Sequence, residues 1–202
     1  MARSCSYGER RYVEKPKADN PRSDPLLLEL AAGDERAFEV LYDRFAGPMI
    51  RAAVAMLGRV EDAEDAVQEV FAAMVRSRGR LAEVRDLRAY LFSALRRSAG
   101  RRAVRRAQEP VASDTATAEV PARETAQEPN HPAAERLDRA LRSLPAAQRE
   151  IVALKIDGEL TFAQIADILD ISSNTAASRY RYAMERLRTT LHDAGFAPAS
   201  EK

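Results

Sequence analysis

The sequence predicts an all-α protein of two small helical domains joined by a flexible linker. Three observations predict this fold class. Apolar residues recur at spacings of three and four, the period of an amphipathic helix, through most of residues 25–106 and 135–194. Glycines and helix-capping residues stand between these periodic segments. Residues 107–134 instead hold four prolines and show neither a helical nor a strand period, which is typical of a linker.

Polar tails flank the two domains. Residues 1–24 are mixed in charge and lack a hydrophobic period, so we expect a disordered tail there, and residues 195–202 form a second, shorter tail. The N-terminus also lacks the apolar stretch of a secretory signal. No segment approaches the roughly 18 uninterrupted apolar residues that a membrane span needs. We therefore expect a cytoplasmic protein without a membrane span.

The composition argues against an enzyme and against a metal protein. A single cysteine, Cys5, excludes internal disulfides and any zinc site built on cysteine pairs. The two histidines, His131 and His192, stand apart from any cluster of carboxylates. The chain contains no G-x-S-x-G, no Walker loop and no G-x-G-x-x-G. The sequence thus predicts no catalytic residue, no metal ligand and no cofactor.

Two helices open the first domain. The first starts at Pro25 and ends before Gly33, a residue suited to the left-handed conformation past a helix end. Asp34 then caps the second helix, which ends at Gly58 and is expected to bend at Pro48. The apolar stripe of this second helix is Phe38, Leu41, Tyr42, Phe45 and Met49.

Two more helices complete the first domain. The third is expected to begin at Glu61 or Asp62, and the fourth to run from about residue 86 to residue 106. The core face of the third helix reads Ala63, Ala66, Val67, Val70, Phe71, Met74 and Val75. That of the fourth reads Leu87, Tyr90, Leu91, Ala94 and Leu95.

The second domain is predicted to contain four helices. The first begins at Glu135 and stops at Pro145, and the next ends before Gly158. Thr161 and Gln164 form the S/T-x-x-E/Q pattern of a capping box, which opens the third helix. A four-residue joint, 170–173, leads into a long last helix. Its predicted buried stripe is Ala177, Tyr180, Met184, Leu187 and Leu191.

The net charge of +1 conceals segments of opposite sign. Residues 76–106 hold eleven arginines against Glu83 and Asp86, a density typical of a polyanion-binding surface. The third helix instead opens with a run of acids and no base before Arg76. Nucleic-acid phosphates would repel these acids, which favours a basic protein partner. Acids in a first helical turn also stabilise the helix dipole, and charge alone does not decide between these interpretations.

The end of the chain matches helix-turn-helix geometry. A capped helix, a short turn and a second helix would place the N-terminal end of the second helix in the major groove. Side chains at this end can read base edges or contact phosphates: Ser173, Asn174, Thr175, Ser178, Arg179 and Arg181. Asp170 stands where many such motifs have glycine. A plain helical hairpin with a Ser/Asn cap is the alternative structure.

Three blocks of residues resemble the bacterial sigma-70 factors, specifically their small two-domain extracytoplasmic-function type. Phe38-x-x-Leu41-Tyr42-x-x-Phe45 looks like the opening of the family's first domain. Residues 63–71, Ala-Glu-Asp-Ala-Val-Gln-Glu-Val-Phe, are similar to its most recognisable motif. Three stretches look like the family's second domain: Leu144-Pro145-x-x-Gln148-Arg149-Glu150, Phe162-x-Gln164-Ile165-Ala166 and Asn174-Thr175-Ala176-Ala177-Ser178-Arg179-Tyr180.

The resemblance implies a sigma factor that binds core RNA polymerase and directs promoter recognition and transcription initiation. It implies polymerase contacts from the acidic helix, at Asp62, Glu64, Asp65, Gln68 and Glu69. It implies that the basic helix binds the minus-10 promoter element through Arg88, Tyr90, Phe92, Arg96, Arg97, Arg101, Arg102 and Arg105. The helix-turn-helix would read the minus-35 element through Ser173, Asn174, Thr175, Ala177, Ser178, Arg179 and Arg181.

Several residues depart from the family pattern. Tyr90 stands where the family commonly has Trp, and Arg97 where it has Asn. Ala176 and Ala177 replace a bulky aliphatic residue and a Lys in the recognition helix, so the sequence does not predict the promoter elements. Factors of this type are typically held inactive by a partner, so the resemblance also implies an anti-sigma factor. The alternative function is a stand-alone helix-turn-helix regulator that binds operators as a dimer.

Overall fold

The protein is described by a computed structural model that covers residues 25–108 and 132–193, and every regular element in these ranges is a helix. The N-terminal domain comprises α1 (Pro25–Ala32), α2 (Glu35–Leu57), α3 (Val60–Arg76), a 3₁₀ helix (Arg78–Glu83) and α4 (Leu87–Gln108). The C-terminal domain comprises α5 (Pro132–Arg142), α6 (Ala146–Ile156), α7 (Phe162–Leu169) and α8 (Ser173–Asp193). The predicted all-α fold class is confirmed. The predicted tails and residues 109–131 of the predicted linker lie outside the described residues.

The predicted helix ends have the expected local chemistry. Gly33 and Gly58 adopt φ values of 85° and 81°, the left-handed conformation that glycine reaches without a Cβ penalty. The Asp34 carboxylate accepts hydrogen bonds from two backbone N–H groups in the first turn of α2. Thr161 and Gln164 form the complete capping box of α7, each side chain accepting from the other residue's backbone N–H. These contacts satisfy helix N–H groups that would otherwise lack partners.

The core of the N-terminal domain lies between α2, α3 and α4. Leu41 and Met49 of α2, Met74 of α3, and Phe92 and Leu95 of α4 are at most 1% exposed. Burial of a side chain of this size contributes about 1.5–3 kcal/mol relative to leaving it in water. This apolar centre fixes α3 and α4 side by side and thereby positions their charged faces.

The same apolar core continues into the C-terminal domain. Ile151, Leu154, Leu160 and Ile165 belong to one cluster with the core residues of α1–α4. Here α6 packs on α2, and α7 packs on α4. A second, smaller cluster lies between α5, α6 and α8, and consists of Ala140, Leu144, Val152, Ala183 and Leu187. The two domains therefore form one packed body, an arrangement that the helical periods did not predict.

The face of α8 that is buried differs from the predicted stripe. Ala176, Ala183 and Leu187 are buried, whereas Met184 is 38% exposed and Ala177 is half-buried. At two of its five positions the predicted stripe is therefore wrong by one residue: Ala176 is buried in place of Ala177, and Ala183 in place of Met184. Alanine allows helix backbones to approach closely, so α8 packs through its smaller residues where it crosses α6 and α7.

The described ranges contain no helix that is both long enough and apolar enough to cross a membrane. They also contain no group of three or more His, Cys, Asp or Glu side chains that could hold a metal ion.

Candidate nucleic-acid and protein interfaces

Acids of α3 and arginines of α4, which the sequence assigned to different partners, form ion pairs with each other. Asp62 lies 3.3 Å from Arg106, and Asp65 lies 3.1 Å from Arg102. Ascending residue numbers on α3 pair with descending numbers on α4, so the two helices run antiparallel. Each step is about one helical turn, which places the partners on facing stripes. We call this set of contacts, together with those of Glu69, the α3–α4 ladder.

Glu69 is the most heavily bonded acid of the ladder. Its carboxylate accepts a hydrogen bond of 2.7 Å from the hydroxyl of the buried Ser98 and one of 2.6 Å from Arg101. Arg102 lies beside it, with Nε 3.9 Å from the carboxylate. The hydrogen bond from Ser98, followed by that from Arg101, lowers the pKa of Glu69 below its ordinary value. Glu69 is therefore held as a carboxylate that joins α3 to α4.

The acidic helix has a second, exposed side. Glu64, Asp65 and Gln68 are exposed, whereas Asp62 and Glu69 are half-buried against α4. Among the described residues, the side chains of Glu64 and Gln68 form no ion pair and no hydrogen bond. We call Glu64, Asp65 and Gln68 the outer face of α3; Asp65 lies at its edge, since it is exposed and also pairs with Arg102 in the ladder. This face is the part of the predicted polymerase contact that is open to a partner.

Two arginines of α4 are engaged by the C-terminal domain. The guanidinium of Arg88 lies 3.4 Å from the Glu159 carboxylate and donates a hydrogen bond of 3.3 Å to the carbonyl of Gly158. Arg96 lies 3.2 Å from the Glu150 carboxylate. Sequence reasoning missed these contacts, because Glu150 and Glu159 carry no local pattern that marks them as partners of a distant helix.

The remaining predicted minus-10 arginines differ in exposure. Arg102 is 21% exposed and paired in the ladder, so it lies largely inside the N-terminal domain. Arg101 is 56% exposed although it pairs with Glu69. Arg97 and Arg105 are exposed, and neither forms an ion pair within the described part of the chain. Arg97 and Arg105 are thus open to phosphates in this arrangement, whereas Arg101 is exposed but engaged by Glu69.

The two aromatic residues predicted to contact minus-10 bases lie in different surroundings. Phe92 is fully buried in the core, so the prediction that it contacts bases is corrected: its ring packs inside the domain and cannot stack on a base. It is buried because the apolar face of α4 is centred on Leu91, Phe92 and Leu95. Tyr90 is half-buried and lines a cavity of about 430 Å³ beside the 3₁₀ helix. Tyr90 packs against the edge of the core and keeps part of its surface exposed.

The turn of the helix-turn-helix is held by local contacts. Asp170 adopts φ 54° and ψ 51°, the left-handed conformation that glycine often supplies in such motifs. The Ser172 hydroxyl accepts a hydrogen bond of 3.0 Å from the backbone N–H of Thr175 and lies 2.8 Å from its Oγ1. Ser172 therefore caps α8, and part of the hydrogen-bonding capacity of Thr175 is used within the turn.

The start of α8 carries the predicted minus-35 residues. Ser173, Asn174 and Arg181 are exposed, and the remaining four are half-buried: Thr175, Ala177, Ser178 and Arg179. The guanidinium of Arg181 lies 5.3 Å from the centroid of the Tyr182 ring. No ion pair within residues 25–108 and 132–193 involves an arginine of α8. This helix end thus presents polar and basic groups that can contact DNA directly.

Two family models match the chain. The model described as sigma-70 region 2 matches residues 41–109, and the model described as sigma-70, region 4 matches residues 134–187. Together they cover more than half of the 202 residues. No curated protein matches the chain in sequence.

Solved structures share the fold. CnrH, solved in complex with the cytosolic domain of CnrY, is 23% identical with a TM-score of 0.58; the match covers 87% of this chain and 99% of CnrH. The sigma factor RpoE, solved in complex with the anti-sigma factor NepR from Bartonella quintana, is 24% identical with a TM-score of 0.66. That match covers 78% of this chain and 98% of RpoE. At these identities the likeness shows a common fold.

Proposed function

The chain belongs to the sigma-70 family of RNA polymerase sigma factors, and from this premise we propose that it is a small, two-domain member of the extracytoplasmic-function type. As a sigma factor it binds core RNA polymerase and directs promoter recognition and transcription initiation. We further propose that it acts in the cytoplasm and contributes no catalytic residue of its own, the chemistry of RNA synthesis belonging to the polymerase.

The outer face of α3 is proposed as the polymerase contact. The observation that carries this proposal is the division of the acidic helix into two sides. One side is occupied by the arginines of the α3–α4 ladder, while Glu64 and Gln68 face outward and make no hydrogen bond or ion pair among the described residues. Exposed acids on a rigid helix suit a basic protein surface, and electrostatic complementarity of this kind speeds association and selects the partner. Asp62 and Glu69 support this face by holding α3 against α4.

The exposed arginines of α4 are proposed to bind the minus-10 element. Arg97, Arg101 and Arg105 follow one another at spacings of four, so they share one side of the helix and can neutralise successive phosphates. Tyr90 supplies a ring on which an unpaired base can stack. Arg102 and Phe92 act indirectly, since the first is paired in the ladder and the second lies in the core.

The N-terminal end of α8 is proposed to read the minus-35 element. Ser173 and Asn174 offer hydrogen-bonding groups to base edges, and Arg179 and Arg181 offer cations to phosphates or guanine. An anti-sigma factor is proposed as a further partner. Support for it comes from the similar fold of RpoE, which was solved together with one.

A charge reversal on the outer face tests the polymerase contact. Glu64→Lys places a cation on this face without removing a contact within the domain, because the Glu64 side chain has no partner among the described residues. Glu39→Lys is the matched control, since Glu39 is an exposed acid of α2 that also lacks an ion pair there. Binding of each full-length variant to purified core polymerase is measured by fluorescence anisotropy, with folding verified by circular dichroism.

The proposal predicts that Glu64→Lys weakens polymerase binding at least about tenfold, because like charges brought together at an interface cost several kcal/mol. Glu39→Lys is expected to bind as the wild type does. Equal binding by the two variants would contradict the assignment of the outer face. Tight duplex binding by the free chain, with no binding to core polymerase by any variant, would instead favour a stand-alone regulator.

A further inference from the structure

Lys155 of α6 differs from the other basic residues in its type and in its surroundings. It is the only lysine within residues 25–193, where the other permanently charged bases are arginines. Its ammonium donates a hydrogen bond of 2.9 Å to the carbonyl of Leu160 and lies 4.9 Å from the centroid of the Phe162 ring, within the range of a cation–π contact. A compact ammonium on a flexible stem can reach both groups at once. Lys155 is therefore engaged within its own domain.

The carbonyl that Lys155 binds belongs to the loop that leads into α7. Glu159 in this loop has φ 48°, a conformation that is unfavourable for a residue with a Cβ. Leu160 is fully buried, and Thr161 follows it as the capping residue of α7. A strained backbone conformation persists only where the surrounding contacts hold it. The hydrogen bond from Lys155 is one such contact, so it helps to fix the start of α7.

The Phe162 ring links Lys155 to α8. Phe162 is the first residue of α7, and the centroid of its ring lies 5.6 Å from that of the Tyr180 ring, with the two planes tilted by 59°. Aromatic pairs favour this kind of geometry. Tyr180 packs against both apolar clusters described above, so its ring is held where the two clusters meet. We call Lys155, Phe162 and Tyr180 the α6–α8 stack.

The α6–α8 stack contacts α8 between two proposed DNA contacts. Arg179 and Arg181 immediately flank Tyr180, so a rotation of α8 that displaces the Tyr180 ring also displaces both guanidinium groups. A hydrogen bond to a base edge is directional, and it weakens when the angle of approach changes. Contacts with phosphates depend less on orientation, because they are largely electrostatic and carry no sequence information. The position of Tyr180 therefore matters most for discrimination between base pairs.

We propose that Lys155 is a positioning residue for DNA recognition: through Phe162 and Tyr180 its ammonium sets the orientation of α8, and thereby the sequence discrimination of the helix-turn-helix, without contacting DNA. This inference rests on the proposed function of α8. It adds a determinant of specificity that lies on a different helix from the residues that read the bases. Removing the ammonium weakens binding to the preferred duplex and leaves binding to other duplexes unchanged.

Single substitutions in the full chain test the proposal. Lys155→Met keeps an unbranched apolar stem and removes the ammonium, and Phe162→Leu removes the ring that the ammonium contacts. Lys155→Arg is the conservative variant, because it keeps both a cation and a donor. Arg136→Met is the matched control, since Arg136 is an exposed cation of α5 that makes no ion pair or hydrogen bond among the described residues. Circular dichroism verifies that each variant is folded at the assay temperature.

The main measurement is the ratio of two affinities. The wild-type protein with purified core polymerase first selects a duplex from a library, and a second duplex carries the same sequence with its upstream element scrambled. Lys155→Met and Phe162→Leu should each reduce the preference for the selected duplex about three- to tenfold, which is less than the full loss of a bidentate base contact. Lys155→Arg and Arg136→Met should keep the wild-type preference. The proposal would be overturned if Lys155→Met matched Arg136→Met, or if it lowered both affinities equally.

Two further readouts separate positioning from other roles of Lys155. The double variant Lys155→Met/Phe162→Leu should show the same loss of preference as either single variant, because both substitutions break one path. Additive losses would contradict a shared path. A direct contact between Lys155 and a phosphate would instead reduce the salt dependence of binding by about one phosphate contact in Lys155→Met, and this result would also overturn the proposal.

The proposed function and the positioning role fail in different ways. If the wild-type protein with core polymerase selects no duplex, the proposed function is wrong, and the positioning role is wrong with it. If the wild type selects a duplex and Lys155→Met prefers that duplex equally strongly, only the positioning role is wrong.

Discussion

The helices α4 and α8 both carry arginines that are proposed to meet DNA, yet the surroundings of these arginines differ. On α4, Arg88 and Arg96 pair with acids of the C-terminal domain, and Arg102 pairs with acids of α3. Arg179 and Arg181 of α8 form no ion pair within the described residues. Arginine therefore serves two purposes in this protein. The paired arginines of α4 stabilise the packing of the helices, whereas Arg179 and Arg181 of α8 are available to bind a ligand.

The loop between α6 and α7 contains Gly158, whose carbonyl accepts a hydrogen bond from Arg88. We expect substitution in this loop to lower stability the most. A Cβ at Gly158 would overlap the carbonyl oxygen of Leu154 and approach Cγ of Leu160 to 3.2 Å. We expect Gly158→Ala to lower the free energy of unfolding by about 1–3 kcal/mol through this overpacking. Gly100→Ala in α4 is the control, because a Cβ there meets nothing within 4 Å. It should stabilise by about 0.5–1 kcal/mol.

Urea denaturation of the two alanine variants measures this difference. Equal midpoints for Gly158→Ala and Gly100→Ala would show that the backbone of the α6–α7 loop can shift to accept a Cβ. The loop would then not hold the Gly158 carbonyl in a fixed position for Arg88.

Alanine substitutions on α4 and α8 should separate the two uses of arginine. Arg102→Ala removes the partner of Asp65 and one partner of Glu69, and should lower the free energy of unfolding by about 1–2 kcal/mol. Arg181→Ala should leave stability unchanged and weaken duplex binding about three- to tenfold, with a salt dependence reduced by one phosphate contact. Urea denaturation and a salt series of duplex-binding titrations provide both readouts for both variants.

Arg105→Ala serves as the control for Arg102, since Arg105 is exposed, lies on the same helix and makes no ion pair within residues 25–108 and 132–193. The comparison between α4 and α8 would fail if Arg102→Ala were as stable as Arg105→Ala, or if Arg181→Ala unfolded more readily than the wild type.

The pH dependence of stability tests the ladder at Glu69. The hydrogen bond from Ser98, with that from Arg101, lowers the pKa of Glu69 in the folded state. The contribution of the Glu69 carboxylate to the free energy of unfolding is therefore fully present above the ordinary glutamate pKa of about 4.3. It is lost as the pH falls through the folded-state pKa. Because Glu69 is 39% exposed, we expect Glu69→Gln to cost only about 1 kcal/mol at pH 7.

The difference in free energy of unfolding between the wild type and Glu69→Gln should shrink as the solution is acidified below a pH of about 4. Glu64→Gln controls for the loss of a charge on the outer face of α3. A difference that stayed constant down to acid pH would show that the Glu69 carboxylate is not stabilised by the ladder.

The smallest effect is expected at the turn before α8. Asp170 has φ 54°, a conformation that glycine adopts at lower cost than other residues. Asp170→Gly should therefore raise the free energy of unfolding by about 0.5–1 kcal/mol, and Asp170→Val, with a branched side chain, should lower it. Thermal unfolding of the pair provides the measurement. A glycine variant less stable than the wild type would mean that the Asp170 carboxylate stabilises the turn.

Local chemistry was the part of the fold that could be predicted. Asp34, Gly58 and the Thr161–Gln164 pair act on groups a few residues away, so their meaning is contained in short stretches of sequence. The buried face of α8 was predicted less well. Its true stripe includes Ala176 and Ala183, whose small side chains give a weak periodic signal, whereas the larger Met184 is exposed.

The candidate site could be predicted only as two sets of charges. The sequence separated the acids of α3 from the arginines of α4 because they lie in different segments. It could not show that Asp65 and Arg102 face each other, or that Glu150 of the C-terminal domain reaches Arg96 of α4, since these contacts depend on how whole helices pack. Phe92 was misplaced for the same reason, as neighbouring Leu91 and Phe92 are both buried by a broad apolar face.

Transcription by purified core RNA polymerase on a library of promoters tests the central claim most directly. The account predicts that adding the full-length protein starts run-off transcription at promoters that share two elements upstream of the start site. It also predicts that Glu64→Lys abolishes these transcripts, whereas Glu39→Lys does not. The account would be contradicted if core polymerase produced the same transcripts with and without the protein, or if the protein bound promoter duplexes yet never directed polymerase to them.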